Sequence, residues 1–380
     1  MSIYKDFMSD DEIAQVRRPL EEASFLPPRL YYEEKFYDFE IDKIFMRTWI
    51  PVAHVSELAE PGSYVARTMF GEPVMVTRNS AGEVNAFSAV CRHRTSTVAT
   101  GTGKFNEKTG LVHCPYHGWG YSSDGSLVSA PVMNKTKDFD KGKCGLPKIA
   151  CEVWEGFIFI NFASDPEPLG PQLKTLTSVV APFKMAELAC VDFAEYDVAW
   201  NWKVTLENFT EGYHQVMVHG TTIEPFIPSK LQTYDDVDGP YNLFYMPTIS
   251  KEPLINFLPP IPDLPQELME KMVVINVFPL FHLLMDATSV YWLDWVPRSA
   301  ADHGIRWRLL APKSTVEAPE FEPLKGALLT ILKAVWAEDT AACNGVNAGV
   351  RSRYAAIGRP AYMEKAVHQF QNWLVDQYTR

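Results

Sequence analysis

Two cysteine–histidine motifs follow each other in the chain: CRH at residues 91–93 and, after twenty intervening residues, CPYHGWGY at residues 114–121. A C-x-H pair combined with a C-x-x-H pair offers two thiolates and two imidazoles, which are ligands that proteins use to bind metals. The ligands would be Cys91, His93, Cys114 and His117, whereas His113 lies outside the pattern and is interpreted as structural. Two cysteines and two histidines also suit a tetrahedral zinc ion. Spacing alone therefore predicts a metal site held by two loops and leaves the metal open.

The residues around these two loops predict a small antiparallel β domain. Short apolar runs alternate there with glycine-containing turns, such as GEP at residues 71–73 and SDG at residues 123–125. The predicted strands are Tyr64–Thr68, Val74–Thr77, Val84–Ser88, Leu127–Ser129 and Gly156–Asn161. The run SDPEPLGP at residues 164–171 has the composition of a linker, so we expect the domain to end near residue 165.

A second group of candidate metal ligands lies further along the chain, where ENFTEGYH at residues 207–214 is followed by His219. Two imidazoles need a carboxylate to complete the facial triad that holds a non-haem Fe(II) ion and leaves positions open for O₂. We assign the carboxylate to Asp339, because an acid among the apolar neighbours of VWAEDT at residues 335–340 is costly unless it is paired or bound to a metal. The neighbouring Glu338 is the main competitor, and we expect it to point elsewhere. The predicted iron ligands are thus His214, His219 and Asp339.

The segment that carries the two histidines is predicted to be one helix, Trp202–Val218, because apolar residues recur every three or four positions. Glu211 and His214 then share one face. His214 and His219 are five residues apart, about 140° out of alignment on an ideal helix. We therefore expect the chain to bend or end near Gly220, so that both imidazoles reach one metal.

Strands and two long helices are predicted for the remainder of the chain. The strands are Val273–Val277, Ser289–Trp295 and Ile305–Ala311, and the helices are Pro323 to about Ala348 and Tyr362–Thr379. The last helix places Val367, Phe370, Trp373, Leu374 and Tyr378 on one face, which is most simply core packing.

Composition excludes several classes of protein. With 380 residues, 47% of them apolar and 22% charged, the chain is expected to form two ordinary globular domains. A net charge of −12 argues against nucleic-acid binding, which needs clustered Lys and Arg. The six scattered cysteines do not form a disulfide framework. The apolar stretch Met272–Met285 is too short to span a membrane, and residues 1–24 lack the apolar segment of a signal peptide, so we expect a cytoplasmic protein.

The residues after His117 resemble a known motif. GWGY at residues 118–121 and DG at residues 124–125 closely resemble the second loop of Rieske domains, which favours a [2Fe–2S] cluster over zinc. With both motifs in order, the chain resembles the α subunit of Rieske non-haem iron oxygenases over nearly its whole length. The resemblance implies that Cys91 and Cys114 hold one iron of the cluster and that His93 and His117 hold the other. It also implies that a separate mononuclear Fe(II) is bound by the His/His/Asp set.

The resemblance further implies an α+β fold. An all-β Rieske domain at residues 46–165 precedes a helix-grip (START-like) catalytic domain at residues 166–380, in which a twisted antiparallel sheet wraps a long helix. Residues 1–45 are expected to form a helical segment that packs on the catalytic domain.

The same resemblance implies a homotrimer, in which the cluster of one subunit faces the mononuclear iron of its neighbour. Glu211 matches the acid that links the neighbour's cluster histidine to the iron histidine, and we take Glu211 and Asn208 as candidate catalytic residues. Most aromatic-ring dioxygenases carry Asp at the position of Glu211, whereas the oxygenases that act on carnitine and glycine betaine carry Glu. Electrons would come from NAD(P)H through a separate flavin/iron–sulfur reductase, with a ferredoxin as a further candidate carrier, because the chain has no dinucleotide-binding glycine motif.

The sequence thus predicts an O₂-dependent mono-oxygenase that hydroxylates or oxidatively N- or O-demethylates a small organic substrate. A quaternary ammonium compound or amine is the leading substrate class, and an aromatic compound or a dealkylated xenobiotic is the alternative. Candidate pocket residues are Phe278, Tyr291, Trp292 and Trp295, whose rings suit a cation or a flat aromatic molecule and equally suit core packing. An electron carrier built on a Rieske domain and a helix-grip binding module without catalysis are rival classes. The second metal-bearing half of the chain argues against both.

Overall fold

Residues 3–249 and 258–380 are described by the computed structural model, in which the chain divides into two units. The smaller unit is Met46–Leu169, and the larger unit combines Met1–Phe45 with Gly170–Arg380. Each candidate metal site lies within one of these units.

The smaller unit is built from antiparallel sheets. Its strands are β1 Ile50–His54, β2 Ser63–Met69, β3 Glu72–Arg78, β4 Val84–Ser88, β5 Gly101–Lys104, β6 Val112–His113, β7 Gly120–Tyr121, β8 Leu127–Ser129, β9 Lys148–Trp154 and β10 Phe157–Asn161. The larger sheet runs in the order β1-β10-β9-β4-β3-β2-β5, and the smaller in the order β6-β7-β8. The five strands predicted here are all present, whereas β1, β5, β6, β7 and β9 were missed. Strands β5 to β7 are short and carry few apolar residues.

The core of this unit reaches the metal-binding loops. Met75 and Phe87 on the larger sheet belong to one buried cluster with Tyr121 on the smaller sheet, and the same cluster includes Cys91 and Cys114. Packing against the sheets therefore fixes both loops.

The larger unit contains a third antiparallel sheet, of seven strands. Its strands are β11 Ala189–Val198, β12 Thr233–Tyr234, β13 Tyr241–Pro247, β14 Lys271–Val277, β15 Phe281–Met285, β16 Val290–Ser299 and β17 Asp302–Ala311. They run in the order β11-β17-β16-β15-β14-β13-β12, and each neighbouring pair is antiparallel.

The α-helices lie mostly in the larger unit. They are α1 Asp10–Val16, α2 Glu34–Glu40, α3 Leu169–Gln172, α4 Lys174–Val180, α5 Trp202–Phe209, α6 Gln215–Val218, α7 Gln266–Met269, α8 Lys313–Val316, α9 Phe321–Val350 and α10 Lys365–Thr379. Helix α5 contacts both α9 and β16. The two closing helices predicted from the sequence correspond to α9 and α10. Val367, Phe370, Leu374 and Tyr378 are buried as expected, whereas Trp373 is only partly buried.

The single helix predicted over Trp202–Val218 is wrong, because the chain breaks between α5 and α6. Thr210 ends α5, and Gly212 lies in the turn that follows. The N–H of Gly212 donates to Tyr234 Oη, and a Cβ at this position would lie 2.0 Å from the Gln232 side chain. The backbone therefore turns where apolar periodicity alone predicted that it would continue. This bend before His214 comes in addition to the predicted end near Gly220, because α6 ends at Val218.

Among the described residues, none of the helices is both long and apolar enough to cross a membrane. The cytoplasmic location expected from the sequence stays a prediction.

Candidate metal centres and cavity

The two cysteines of the first motif are buried on separate loops of the smaller unit. Cys91 and Cys114 are 2% and 3% exposed. Tyr121 Oη accepts a hydrogen bond from the Arg92 N–H (3.0 Å) and lies 3.3 Å from Cys91 Sγ. Because its oxygen already accepts, the hydroxyl can donate its own hydrogen to the sulfur, which suits a thiolate.

The two histidines of this motif lie beside each other, with ring centroids 4.6 Å apart. His93 stacks on Trp119 at a centroid distance of 4.9 Å, and its buried Nδ1 has no hydrogen-bond partner in the described part of the chain. Gly118 follows His117 with φ 71°, a conformation that strains other residues, and its N–H donates to the Cys114 carbonyl (3.0 Å). Two buried thiols and an uncommitted imidazole nitrogen fit the predicted cluster.

The second metal site brings together the three predicted ligands in the larger unit. His214 precedes α6, His219 follows it, and Asp339 lies on α9. One ligand atom from each lies within 4.8 Å of the others. His219 Nε2 is 3.0 Å and His214 Nε2 is 3.6 Å from the same oxygen, Asp339 Oδ1. Two imidazoles and a carboxylate that converge in this way fit a mononuclear Fe(II) ion.

Each histidine of this site is oriented through its other ring nitrogen by a carboxylate. His214 Nδ1 lies 2.8 Å from Glu211 Oε1, and His219 Nδ1 lies 2.7 Å from Glu338 Oε2. A carboxylate that accepts from Nδ1–H fixes the ring and leaves Nε2 for a metal. Burial disfavours the imidazolium form of His219, yet its hydrogen bonds to Asp339 and Glu338 outweigh burial and raise its pKa.

Glu338 does not point elsewhere, contrary to the expectation from the sequence. Besides its contact with His219, Glu338 Oε2 accepts from Thr222 Oγ1 at 2.7 Å. Neighbouring positions on α9 diverge by about 100°, so the two acids leave the helix in different directions. The prediction failed because His219 presents its two nitrogens to both acids, one on each side of its ring.

The two candidate catalytic residues also contact the ligands. Asn208 Nδ2 donates to Asp339 Oδ1 at 2.9 Å. Glu211 lies in the turn rather than on α5, and its second oxygen accepts from the His214 backbone N–H at 3.0 Å. Both carboxylate oxygens of Glu211 are thus directed at His214.

A cavity of about 280 Å³ adjoins this metal site. Its wall is largely apolar and comes from three parts of the larger unit. The sheet contributes Phe244, Met246, Met272, Leu284 and Trp307. Helix α9 contributes Ile331, Leu332, Ala334 and Val335. Phe209, Ile223 and Ile227 complete the apolar part.

The structure places the four aromatic pocket candidates outside the described wall of this cavity. Phe278 packs against Phe370 and Trp373 of α10, and Tyr291 against Phe193 of β11. Trp292 pairs in register with Leu283, so strand alternation turns it away from the face that carries Leu284. Trp295 lies near His282, with ring centroids 6.5 Å apart. Strand alternation separated the two faces of β16, but the sheet residues that line the cavity belong to β13, β14, β15 and β17.

Comparison with known proteins identifies the class. The family model described as ring hydroxylating alpha subunit (catalytic domain) matches residues 185–380. The family model described as Rieske [2Fe-2S] domain matches residues 48–140. The first match alone covers more than half of the chain, so the chain belongs to the ring hydroxylating alpha subunit family. The matches confirm the predicted Rieske domain, the α+β fold and the cofactors of this family, a [2Fe–2S] cluster and a mononuclear iron.

Two curated relatives show where the chain lies within this class. It is 31% identical to the glycine betaine monooxygenase oxygenase subunit of Chromohalobacter salexigens over 230 aligned residues. The aligned region covers 60% of this chain and 50% of the relative. It is 32% identical over 202 residues to the carnitine monooxygenase oxygenase subunit of Escherichia coli K12, which covers 51% of this chain and 52% of the relative. The matches thus span about half the length of these curated relatives.

Solved structures share the fold along almost the whole chain. A quaternary ammonium Rieske monooxygenase superposes with a TM-score of 0.83 at 22% identity, covering 98% of this chain and 99% of that chain. Naphthalene 1,2-dioxygenase from Rhodococcus sp. gives a TM-score of 0.81 at 19% identity, with the same two coverages. Since proteins named for such different substrates match equally well, the fold does not select the substrate.

Proposed function

We propose that the protein is the oxygenase component of a multi-component Rieske system, which hydroxylates or oxidatively N- or O-demethylates a small organic substrate with O₂. The observation that carries this proposal is the convergence of His214, His219 and Asp339 beside an apolar cavity, in a chain that also has a Rieske domain.

The residues of the two sites divide the work. Cys91, His93, Cys114 and His117 would hold the cluster, and His214, His219 and Asp339 would hold the mononuclear iron; when bound, these groups supply electrons one at a time and the activation of O₂. Glu211 and Glu338 orient the imidazoles, and Asn208 orients the carboxylate of Asp339. The apolar wall binds the substrate and excludes water from the reacting carbon.

The proposal includes partners. A separate NAD(P)H-dependent flavin/iron–sulfur reductase, with or without a ferredoxin, would supply electrons, and a homotrimer would place Glu211 between the sites of neighbouring subunits. One structural neighbour, a quaternary ammonium Rieske monooxygenase, is described as using inter-subunit electron transfer, which supports this arrangement.

Two substrate classes are compatible with the site. The names of the relatives, together with Glu at position 211, support a quaternary ammonium compound or amine. The apolar wall of the cavity favours the alternative, an aromatic compound or a xenobiotic that is dealkylated.

The test of the proposed function is a substrate screen with a reconstituted reductase. We expect NADH- and O₂-dependent product formation, with a gain of one oxygen atom in the product mass or release of formaldehyde after demethylation. Electron consumption without an oxidised product from any tested amine, aromatic or alkyl compound would contradict the proposal.

A variant of Glu211 tests its proposed role. Glu211→Ala removes the acceptor of His214 Nδ1–H, and the loss of such a partner typically costs about 10–100-fold in activity or metal affinity. We expect single-turnover product formation to slow within that range while the cluster absorption stays unchanged.

Two controls accompany this variant. Glu211→Gln keeps an oxygen for Nδ1–H and separates ring orientation from negative charge, and Glu187→Ala removes an exposed carboxylate elsewhere in the larger unit. Unchanged single-turnover rates in Glu211→Ala would show that this acid has no role in the reaction.

A further inference from the structure

Two methionines lie side by side in the wall of the cavity. Met246 on β13 and Met272 on β14 both line it, and the two residues are paired in register across the strands. Residues that pair in this way project from the same face of a sheet. The two side chains are 7% and 8% exposed, and they belong to one buried cluster with Phe244 and Val274. The sheet therefore holds two thioethers next to each other at the cavity.

The same cavity is lined by the predicted iron ligands His214, His219 and Asp339. A peroxide that forms at these ligands is thus released into the space that holds both thioethers. Peroxides readily convert methionine to methionine sulfoxide. The sulfur gives up two electrons and takes one oxygen atom from hydrogen peroxide, and the other oxygen leaves with both hydrogens as water.

The proposed function supplies this oxidant. When the reductase delivers two electrons and the cavity holds no substrate, one O₂ and two protons give one hydrogen peroxide. The peroxide is small and uncharged, so an apolar cavity does not exclude it as it would exclude an ion.

We propose, on the basis of the proposed function, that Met246 and Met272 form a modification site, at which hydrogen peroxide from O₂ reduction without substrate produces methionine sulfoxide. A sulfoxide places a polar oxygen in a wall that binds apolar compounds. Oxidation therefore lowers the affinity of the cavity for such compounds, and O₂ reduction without substrate decreases later substrate binding.

Peptide mass spectrometry after treatment with hydrogen peroxide tests the location. Two other methionines are internal controls: Met217 on α6 is 87% exposed, and Met285 on β15 is 0% exposed. Met285 follows the wall residue Leu284, so strand alternation places it on the opposite face of the sheet. With iron in the second site, Met246 and Met272 should gain one oxygen atom each, to a greater extent than Met217, and Met285 should gain none. Without iron, Met217 should be oxidised first, because exposure then governs the reaction.

Reductase-driven turnover without substrate tests the source of the oxidant. We expect the same two methionines to be oxidised when NADH, O₂ and the reductase replace the added peroxide. Catalase in the solution should protect Met217 and leave the oxidation of Met246 and Met272 largely unchanged, because catalase cannot enter the cavity.

The effect on binding is measured by headspace partition of toluene. Oxidised protein should bind toluene about tenfold more weakly, because toluene must then pack against a polar group. The double variant Met246→Leu with Met272→Leu keeps the wall apolar and nearly unchanged in volume, and it cannot form the sulfoxides. Its affinity for toluene should be the same before and after the treatment.

Three results would overturn the proposal. With iron present, oxidation that is highest at Met217 or equal at Met285 would show that the cavity does not direct it. Sulfoxide formed by added peroxide but not during turnover would remove the proposed source. Unchanged toluene affinity after oxidation would remove the effect on binding. Because the peroxide treatment needs neither reductase nor substrate, failure of the oxygenase reaction in the substrate screen is a separate result.

Discussion

At the scale of single residues, the second metal site is defined by pairs of histidine and carboxylate. The sequence indicated His214 and His219 by their closeness on an acid-rich segment and Asp339 by its apolar neighbours, and the structure brings one ligand atom of each within 4.8 Å of the others. The partners of these ligands were harder to predict. The contact between Glu338 and His219 depends on how an imidazole lies against α9, and no local pattern in the sequence encodes that orientation.

Glu338 provides a test at this scale. Glu338→Ala leaves His219 Nδ1 without its acceptor, so we expect the affinity for mononuclear iron to fall about 10–100-fold while the cluster is retained. Iron titration of the metal-free second site, followed by metal analysis, measures this change.

The matched control for Glu338 is Glu338→Gln, which keeps an oxygen for His219 and for Thr222. It should retain most of the affinity. Equal iron affinity in the wild type and in Glu338→Ala would mean that Glu338 has no part in the metal site.

At the scale of elements, helix α5 connects the metal site to the N-terminal segment. Lys203 of α5 and Glu40 of α2 form an ion pair at 2.7 Å, and both side chains are completely buried. Trp202 Nε1 and Tyr378 Oη also donate to Glu40. This network joins α2, α5 and α10 around one carboxylate.

Removing one member of this pair should destabilise the larger unit. Lys203→Met leaves the Glu40 carboxylate buried without a cation, which typically costs about 3–5 kcal/mol in the free energy of unfolding. Denaturant unfolding followed by the signal of the larger unit measures the change. The double variant Glu40→Gln with Lys203→Met should recover most of the loss, and equal stability of Lys203→Met and wild type would contradict this account.

Elements were predicted well where one pattern is continuous and poorly where tertiary contacts decide. The long helices α9 and α10 have a sustained apolar period, and their limits were close to those expected. The break between α5 and α6 was missed, because it depends on Gln232 and Tyr234, which lie about twenty residues away from Gly212. Likewise, β11 was missed because a bulge between Asp192 and Ala194 interrupts its alternation.

At the scale of the whole molecule, buried titratable groups should make stability depend on pH. Burial lowers the pKa of His282 to about 3 and that of His303 to about 4. As the pH falls below about 6.5, these histidines become protonated in the unfolded chain before they do so in the folded protein. Each histidine therefore lowers the free energy of unfolding by about 2 kcal/mol between neutral pH and pH 5. Burial also raises the pKa of Glu207 to about 7. The folded protein gains a proton there between pH 7 and pH 5, and this gain opposes the loss.

Glu207→Gln isolates the opposing contribution. The amide of the glutamine keeps an oxygen that can accept from Tyr31 Oη and from Gln371 Nε2, and it does not titrate. Between pH 7 and pH 5 the stability of this variant should fall more steeply than that of the wild type, by about 2 kcal/mol. Unfolding measured at both pH values on metal-free protein tests this, and parallel pH profiles for the two proteins would contradict it.

The sequence predicted the class of the molecule more completely than its substrate site. The metal motifs are local and chemically restrictive, so they were sufficient to indicate the class. The cavity is formed by side chains from β13, β14, β15, β17 and α9, which meet only in the folded chain. For this reason Tyr291 and Trp295 were plausible pocket residues in the sequence although the described wall is formed by others.

Metal analysis of anaerobically purified wild type and Asp339→Ala, combined with visible and EPR spectra, tests the two metal sites together. The wild type should contain about three irons per chain, two in the cluster and one mononuclear. Asp339→Ala should contain about two, with an unchanged cluster spectrum, because the two sites share no ligands. Stoichiometric zinc without visible absorption in the wild type, or full mononuclear iron in Asp339→Ala, would contradict the account.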